Sequence, residues 1–380
     1  MKIYFSKISI CFLLLLCFGC HQKKTVSNDN LSVSNNEIKY AKGFEIHKYN
    51  GFSVLTISNP WPDANQNFTY ILQEKNGIIP DSLKKYTSIA VPIQSIVVTS
   101  TTHIPSLELL GVENTLTGFP NTDYISSKKT RALIDAGKVR DVGQNDNLNT
   151  EVLIDLAPNV IVGFGLNNSN PALDNLQKSG LKVVFNGDWN EKTPLAKAEW
   201  IKFFGALYGL NNKANKVFSE IETHYNQTLL LAKKATSSPT VLCGSEYQNQ
   251  WFVPQGMSWA SQFLNDAHAN YLWKNTSGTG SIALSFETVL EKAKKADFWI
   301  SPGDFSSLAE MKKSNFHYQE FDAFKNKKVY SYALNKGKKG GILYFEWSLS
   351  RPDWVLKDLI RIIHPELLPN YKPYFFQKLQ

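Results

Sequence analysis

"NTEVLIDLAPNVIVGFG" (149–165) combines a short amphipathic helix with a buried strand. Glu151 opens the predicted helix, Pro158 ends it, and Val160–Val162 is an apolar run typical of a strand inside a sheet. The same order recurs in "LSFETVLEKAKKADFWISPG" (284–303), where Glu287 opens the helix and "DFWI" supplies the strand. We therefore expect two similar α/β units in one chain.

The chain from about residue 90 to residue 192 alternates between strand and helix candidates. "VPIQSIVVTS" predicts an apolar strand and "SLELLGV" a short helix; "LTGF", "VRDVG", "NVIVGFG" and "KVVFNGDW" are further strand candidates. Such alternation favours a mostly parallel sheet with helices on both faces. In that architecture ligands lie beyond the carboxyl ends of the strands.

A helical segment, 193–235, separates this region from a second one of the same kind. Thr193 and Pro194 predict a cap and first turn, and "GLNN" predicts a break within the segment. Beyond it, "TVLCGSEY", "DFWI" and "KVYSYAL" restore the strand–helix alternation. The expected organisation is an N-terminal α/β lobe (89–192), a linking helix (193–235) and a C-terminal α/β lobe (236–380).

The N-terminus predicts export and membrane attachment. Residues 1–19 carry two lysines and then an apolar run that suits a signal peptide, and "CFGC" resembles the lipobox of bacterial lipoproteins, with Cys20 as the lipidated residue. The alternative is an ordinary secretory signal with a chance cysteine. Residues 20–37 are polar and rich in Asn and Ser, which predicts a flexible tether. Residues 38–88 contain alternating runs such as "FSVLTI" and "NFTYIL", which predict a small strand-rich segment.

Cysteine content and charge exclude several classes of function. Cleavage before Cys20 would leave Cys243 without an intramolecular partner, so a disulfide framework, cysteine catalysis and a thiolate metal site are all disfavoured. It would also remove Lys2 and Lys7 and no acid, so the net charge would fall from +8 to +6. This mild positive charge could favour an anionic ligand or an acidic surface. A lysine-rich face exposed to solvent explains it equally well. No arginine-rich stripe or nucleic-acid motif is present, so nucleic acid is set aside.

A family resemblance covers residues 88 to 370. The matching pieces are "IAVPIQSIVVTSTTHIPSLELLGVENTLTGF", "VGQNDNLNTEVLIDLAPNVIVGFG", "WASQFLNDAHANYLWKNTSGTGSIALSFETVLEKAKKADFWI" and "RPDWVLKDLIRIIHPEL". Their order resembles the periplasmic binding proteins that capture ferric siderophores, cobalamin and haem for ABC importers, and the last piece resembles the Bacteroidetes lipoproteins of that family. The resemblance implies two Rossmann-like lobes bridged by a long helix, with the ligand in the cleft between them. The chain departs from the family pattern in segment 38–88 and at His268, where glycine is usual.

The resemblance also implies a partner and a role for the two glutamates. In the family, a glutamate at this helix start in each lobe docks on arginines of a homodimeric permease, and Glu151 and Glu287 match those positions. Two similar lobes would present two carboxylates to two equivalent basic sites. The alternative is that each is a helix-N-terminal carboxylate favoured by the helix dipole.

The ligand site is expected in loops that follow the predicted strands. An aromatic-lined cleft would suit a large, partly flat metal chelate, although packing in the core or a loop is the commoner role for each aromatic residue taken alone. His103 is the histidine placed to approach a bound metal, with local hydrogen bonding as its alternative role. The candidate ligand-binding residues are Thr102, His103, Tyr124, Phe164, Trp189, Trp251, Trp259 and Trp347.

The sequence therefore predicts a monomeric, non-enzymatic binding protein of the periplasm, anchored to the membrane through Cys20. Its predicted partners are an ABC permease homodimer with its ATPase subunits. Its predicted ligand is a ferric siderophore, with cobalamin or haem as the alternative; no intrinsic cofactor and no direct protein ligand to a metal are expected. The remaining alternative is an exported glycan hydrolase, which needs a pair of carboxylates. Glu151 and Glu287 lie at helix starts rather than strand ends, and HExxH, GxSxG and P-loop motifs are absent from the sequence.

Overall fold

The computed structural model describes residues 38–380. The predicted signal peptide (1–19), the lipidation site Cys20 and the predicted tether (20–37) lie outside the described residues. Within residues 38–380, no helix combines the length and the apolar character needed to cross a membrane.

The first folded element is a four-stranded sheet in the order β1-β2-β3-β4. Its strands are β1 (Phe44–Tyr49), β2 (Phe52–Ile57), β3 (Phe68–Gln73) and β4 (Thr87–Ala90). Phe44, on β1 of this sheet, is buried and packs against Trp200, with ring centroids 4.5 Å apart. Apolar residues on one face thus attach the N-terminal segment to the body of the protein.

The N-terminal lobe is built on a parallel five-stranded sheet with the order β11-β10-β5-β6-β7. Its strands are β5 (Ile96–Val98), β6 (Leu116–Phe119), β7 (Arg140–Asp141), β10 (Val160–Gly163) and β11 (Val183–Phe185), with a separate hairpin of β8 (Gly143–Gln144) and β9 (Asn147–Leu148). Its helices are α1 (Ile104–Leu110), α2 (Lys128–Asp135), α3 (Thr150–Leu156) and α4 (Pro171–Lys178).

Both faces of this sheet are buried, as the continuous apolar runs predict. Ile96 and Val98 belong to one hydrophobic cluster, whereas Val97 between them belongs to another. Successive side chains of a strand point to opposite faces, so each face has its own core.

The linking segment 193–235 consists of three helices, and the chain breaks at the predicted "GLNN" (209–212). The helices are α5 (Pro194–Glu199), α6 (Ile201–Leu207) and α7 (Asn211–Ala232). The predicted cap is present, since the Thr193 side chain accepts a hydrogen bond from the Ala196 N–H. Gly209 lies at the break before α7 and has a φ of 65°. Glycine adopts this left-handed conformation readily, which permits the chain to turn there. The long bridging helix is therefore α7, of 22 residues.

The C-terminal lobe repeats the parallel arrangement in a sheet ordered β15-β12-β17-β18-β19, of which only β19 is antiparallel to its neighbour. Its strands are β12 (Thr240–Cys243), β15 (Asn270–Tyr271), β17 (Phe298–Ile300), β18 (Val329–Ser331) and β19 (Gln377–Lys378), and a second sheet contains β13 (Glu246–Tyr247), β14 (Gln250–Pro254) and β16 (Ser281–Leu284). Its helices are α8 (Trp259–Asp266), α9 (Phe286–Ala293), α10 (Leu308–Ser314), α11 (Asp322–Lys325), α12 (Leu343–Trp347) and α13 (Pro352–Ile363). The predicted fold class, two mostly parallel α/β lobes with an added strand-rich segment, is confirmed.

Candidate functional site

A cavity of about 250 Å³ lies between the lobes, at the carboxyl ends of β5, β6 and β10. This is the edge at which open α/β sheets bind ligands. The cavity is lined from the N-terminal lobe by Thr99–Thr101, Phe119–Asn121, Tyr124, Asn145 and Phe164, and from the C-terminal lobe by Gly341, Ile342 and Phe345.

Two of the predicted ligand-binding residues line this cavity. Tyr124 is 63 % exposed and Phe164 is half-buried. Thr102 lies next to the lining residue Thr101, and its hydroxyl donates a hydrogen bond to Asp188 Oδ2 at 2.9 Å. The Thr102 side chain is therefore already engaged within the N-terminal lobe.

His103, in contrast, is fully buried and lies in the core. Its ring centroid is 5.6 Å from that of Phe204. Burial lowers the pKa of His103, and the nearby Asp188 and Asn186 only partly oppose this effect. The prediction that His103 approaches a bound ligand is wrong, because its side chain has no exposed surface and does not line the cavity.

Trp189 and Trp259 are brought together by a lysine that the sequence did not single out. Lys197 Nζ donates hydrogen bonds to the carbonyl oxygens of Asp188 and Trp189, and it lies 5.3 Å from the centre of the Trp259 ring. Burial lowers the pKa of Lys197 to about 8, against the opposing influence of Asp188 and Glu191. Lys197 thus joins the loop after β11 to α8 of the other lobe.

Trp251 is a core residue, so its predicted role in ligand binding is also wrong. Its indole N–H donates to the Cys243 carbonyl oxygen at 2.9 Å, and its ring stacks on Trp299 with centroids 5.2 Å apart. The strand register explains the error. Trp251 on β14 faces the lobe interior with no exposed surface, whereas its neighbour Phe252 faces outward and is 40 % exposed.

Trp347 lines a different groove from Tyr124 and Phe164. This groove, of about 740 Å³, lies between α2 and the segment 335–347. The Trp347 ring stacks on Trp354 with centroids 6.0 Å apart. The structure therefore does not bring Trp347 together with the other predicted aromatic residues.

The C-terminal lobe reaches the cleft through the glycine-rich stretch "NKGKKGGILYF" (335–345), which contains none of the predicted ligand-binding residues. A Cβ at Gly341 would lie 2.3 Å from the Tyr124 carbonyl oxygen, and one at Gly337 would lie 2.7 Å from Ser126 Cα. Only glycine permits this approach of the two backbones. The approach delivers Ile342 and Phe345 to the cavity, and closely spaced glycines before aromatic residues were the available signal.

Glu346 holds the same stretch against the N-terminal lobe. Its carboxylate accepts hydrogen bonds from the backbone N–H groups of Ser126, at 2.6 Å, and Ser127, at 2.9 Å, and it is 1 % exposed. Burial raises the pKa of Glu346 to about 7, with a further contribution from Glu108, although the two hydrogen bonds oppose the shift.

Glu151 and Glu287 occupy equivalent, exposed positions in the two lobes. Each lies in the first turn of its helix, behind an N-cap side chain (Asn149 or Ser285) that accepts a backbone hydrogen bond. Each helix leads towards a central strand of its lobe, β10 or β17. Hydrogen bonds from its own backbone N–H and from Ser285 lower the pKa of Glu287. Docking on a permease remains a prediction for both.

The described residues offer no direct metal site. No group of three or more His, Cys, Asp or Glu side chains that could hold a metal ion occurs within residues 38–380. The cleft instead offers aromatic surface and hydroxyl groups, which suit contact with an organic molecule.

Comparisons with known proteins agree with this architecture. The sequence model described as "Periplasmic binding protein" matches residues 96–333, and the chain belongs to that family. An uncharacterized lipoprotein of Methanocaldococcus jannaschii is 26 % identical over 95 % of this chain and 92 % of its own.

Two solved structures share the fold. A periplasmic heme binding protein from Pseudomonas aeruginosa aligns with a TM-score of 0.56 and 18 % identity, over 76 % of this chain and 98 % of its own. An ABC transporter substrate-binding protein from Listeria monocytogenes aligns with a TM-score of 0.53 and 18 % identity, over 72 % of this chain and 99 % of its own. Almost the whole of each structure is thus matched, whereas about a quarter of this chain lies outside the shared fold.

Proposed function

We propose that this protein is the substrate-binding component of an ABC importer and that it captures a metal chelate in the cleft between its lobes. The observation that carries the proposal is the position of the 250 Å³ cavity, at the carboxyl ends of parallel strands and between two lobes of a periplasmic binding protein. Tyr124, Phe164 and Phe345 supply aromatic surface for an organic ligand shell.

A ferric siderophore is the ligand that we favour, with cobalamin or haem as the alternative. The predicted mature chain carries a net charge of +6, and many ferric chelates are anionic. In such a complex the chelating groups of the ligand hold the metal, so the protein needs no metal ligands of its own. The function proposed is therefore binding and delivery, not catalysis.

Tryptophan fluorescence tests the ligand class. The chain from residue 21 onward lacks the predicted signal peptide and lipidation site and contains all the residues that the structure describes. This protein is titrated with ferrichrome, ferric enterobactin, cyanocobalamin and hemin. We expect saturable quenching by a ferric siderophore. Binding of cyanocobalamin or hemin alone would select the alternative ligand, and no binding of any of the four would contradict the proposal.

The permease is the proposed partner, with Glu151 and Glu287 as its contacts. Replacing either glutamate by lysine would place like charges together at the docking arginines, which costs several kcal/mol. Uptake by cells that lack the wild-type gene should therefore fall sharply, while the ligand affinity of the purified variants stays within a factor of a few. Glu220→Lys, an exposed glutamate on α7, is the matched control and should transport normally. Loss of ligand binding with uptake would instead assign the glutamates to the ligand site.

Lipid attachment at Cys20 is the proposed means of keeping the protein at the periplasmic face of the membrane. Cys20→Ala should move the protein from the membrane fraction to the soluble fraction in cell fractionation. Persistent tight membrane association of that variant would refute the anchor.

A further inference from the structure

A second cavity, of about 660 Å³, lies where the N-terminal segment, the loop after β11 and the C-terminal lobe meet. Its lining includes residues between 40 and 63, residues between 187 and 196 (the loop after β11 and the start of α5), and Thr279 from the C-terminal lobe. The volume falls within the range of roughly 300–1,000 Å³ typical of small-molecule sites, unlike the smaller cavity beside Tyr124.

The turn between β2 and β3 reaches the ligand-binding edge of the N-terminal lobe. Trp61 is 1 % exposed, and its indole N–H donates to Asn168 Oδ1, at 2.8 Å, in the loop after β10. The Asn190 side chain, in the loop after β11, donates to the Asn59 carbonyl oxygen at 3.0 Å. These two loops extend from the carboxyl ends of parallel strands, where ligands of α/β sheets bind.

Glycines in both loops allow the turn to lie this close. A Cβ at Gly187 would lie 2.8 Å from Pro60 Cα, and a Cβ at Gly165 would lie 2.5 Å from the Trp61 ring. Any larger residue at either position would push the turn away from the loops. The glycines in the loops after β10 and β11 are therefore required for the close approach of the turn between β2 and β3.

A buried carboxylate holds the other part of the N-terminal segment in place. Glu191 is 8 % exposed, and its Oε1 accepts hydrogen bonds from the backbone N–H groups of Lys42, at 2.9 Å, and Gly43, at 2.8 Å. The same oxygen accepts the Trp200 indole N–H at 3.1 Å. The wall that residues 40–63 present to the cavity is thus pre-formed, as is usual for ligand sites.

The cavity lining is partly polar and partly apolar, and its charged groups balance in sign. Lys42 and Lys192 face the cavity together with Asp63 and Glu191, and the remaining lining includes amide and hydroxyl side chains such as that of Asn190. Such a lining both donates and accepts hydrogen bonds without attracting net charge. It suits a neutral group that carries amides or hydroxyls.

We propose that the N-terminal segment is a specificity-determining wall of the ligand site, and that this cavity holds a neutral, amide- or hydroxyl-bearing part of the chelate. This inference rests on the proposed function. The wall is formed by residues before position 96, so it lies outside the part of the chain that the family match covers.

Filling the cavity from the opposite lobe tests the proposal without disturbing the N-terminal segment. Thr279 is exposed and lines the cavity, so Thr279→Trp should fold normally and occupy part of the space. Ser277→Trp, two residues away, exposed and outside the lining, is the matched control. Ferrichrome, a neutral chelate rich in amides, is the principal probe. We expect Thr279→Trp to weaken ferrichrome binding at least tenfold and Ser277→Trp to change it less than twofold.

Two further variants separate the wall from the cleft. Lys42→Ala removes a charged hydrogen-bond donor from the wall without adding bulk and should weaken ferrichrome binding about three- to tenfold. Phe345→Ala should weaken every ligand that the protein binds, because Phe345 lines the 250 Å³ cavity.

Phe345→Ala could lose affinity while Thr279→Trp and Lys42→Ala bind ferrichrome as the unmodified protein does. That result would contradict the proposed role of the N-terminal segment but would not contradict the proposed function. Equal losses for ferrichrome and the anionic ferric enterobactin would overturn the preference for a neutral group. If the unmodified protein binds none of the four probes, the proposed function fails and this inference fails with it.

Discussion

Glu199 and Glu346 are both buried carboxylates that accept backbone hydrogen bonds, but only Glu199 also has a cation. Glu199 accepts N–H groups from Lys39, Tyr40 and Ala41 at 2.6–2.9 Å, and the Lys202 ammonium lies 2.7 Å away. Glu346 accepts two N–H groups across the lobe boundary, and no lysine or arginine of residues 38–380 forms an ion pair with it. Both carboxylates join parts of the chain that are more than 150 residues apart.

The two sites differ in how the buried charge is compensated. The Lys202 ammonium lies 2.7 Å from Glu199 and compensates its charge. Glu346 has only neutral donors and a nearby acid, Glu108, so burial raises its pKa. The contact of the segment 335–347 with residues 124–127, which forms the seam between the lobes, should therefore respond to pH.

The largest expected effect follows from removing the Glu199 charge. Glu199→Gln removes the negative charge that lies 2.7 Å from the Lys202 ammonium and leaves one oxygen fewer to accept the backbone N–H groups of residues 39–41. We expect the free energy of unfolding, measured by urea denaturation, to fall by about 3–5 kcal/mol. Glu220→Gln on the exposed face of α7 is the control and should change it by less than about 0.5 kcal/mol. A loss at Glu199 no larger than the control would show that its hydrogen bonds and ion pair contribute little to the attachment of the N-terminal segment.

The pH dependence of the free energy of unfolding should reveal the titration of Glu346. Its pKa is about 7 in the folded protein against an ordinary value of 4.5, so the folded state holds the proton more tightly than the unfolded chain does between these values. Stability should therefore fall as pH rises through this window, by about 2–3 kcal/mol between pH 5 and pH 8. Urea denaturation at each pH measures it.

Glu346→Gln provides the matched comparison, because glutamine does not titrate. The difference in unfolding free energy between the unmodified protein and this variant isolates Glu346 from other groups, such as Asp358, whose pKa burial raises to about 6. Parallel pH profiles for the two proteins would mean that Glu346 does not titrate in this range.

A smaller loss is expected from adding one methyl group at the seam. Gly341→Ala places a Cβ within 2.3 Å of the Tyr124 carbonyl oxygen, so the segment 335–345 must move away from the N-terminal lobe. We expect a loss of about 1–3 kcal/mol in the free energy of unfolding. Gly280→Ala is the control, since its Cβ would have ordinary contacts, the nearest at 3.6 Å. Equal free energies of unfolding for the two variants would mean that the seam accommodates the added methyl group by a small shift of the backbone.

The smallest effect is expected from the exposed ion pair that also crosses the seam. Lys338 Nζ lies 3.4 Å from Asp135 Oδ2, and both side chains are largely exposed. Because water and salt screen such pairs, Lys338→Ala should change the free energy of unfolding by less than about 0.5 kcal/mol. If Lys338→Ala lowered the free energy of unfolding as much as Gly341→Ala, surface charges rather than backbone contacts would stabilise the seam.

The sequence alone was sufficient for the local elements. The apolar run Val160–Val162, the N-cap position of Thr193 and the helix starts at Glu151 and Glu287 could all be predicted, because each depends on neighbouring residues in the chain. Their alternation was also sufficient to predict two α/β lobes, because helices must cover both faces of a parallel sheet.

The tertiary structure alone decided which side chains meet in the cleft. Trp251 and His103 are buried because a strand register and a neighbouring helix place them inward, and neither constraint is local in sequence. Phe345 reaches the cleft because Gly341 lets its segment touch a loop more than 200 residues earlier. Local sequence determines where a helix or strand begins, whereas burial and contact depend on residues that only the folded chain brings together.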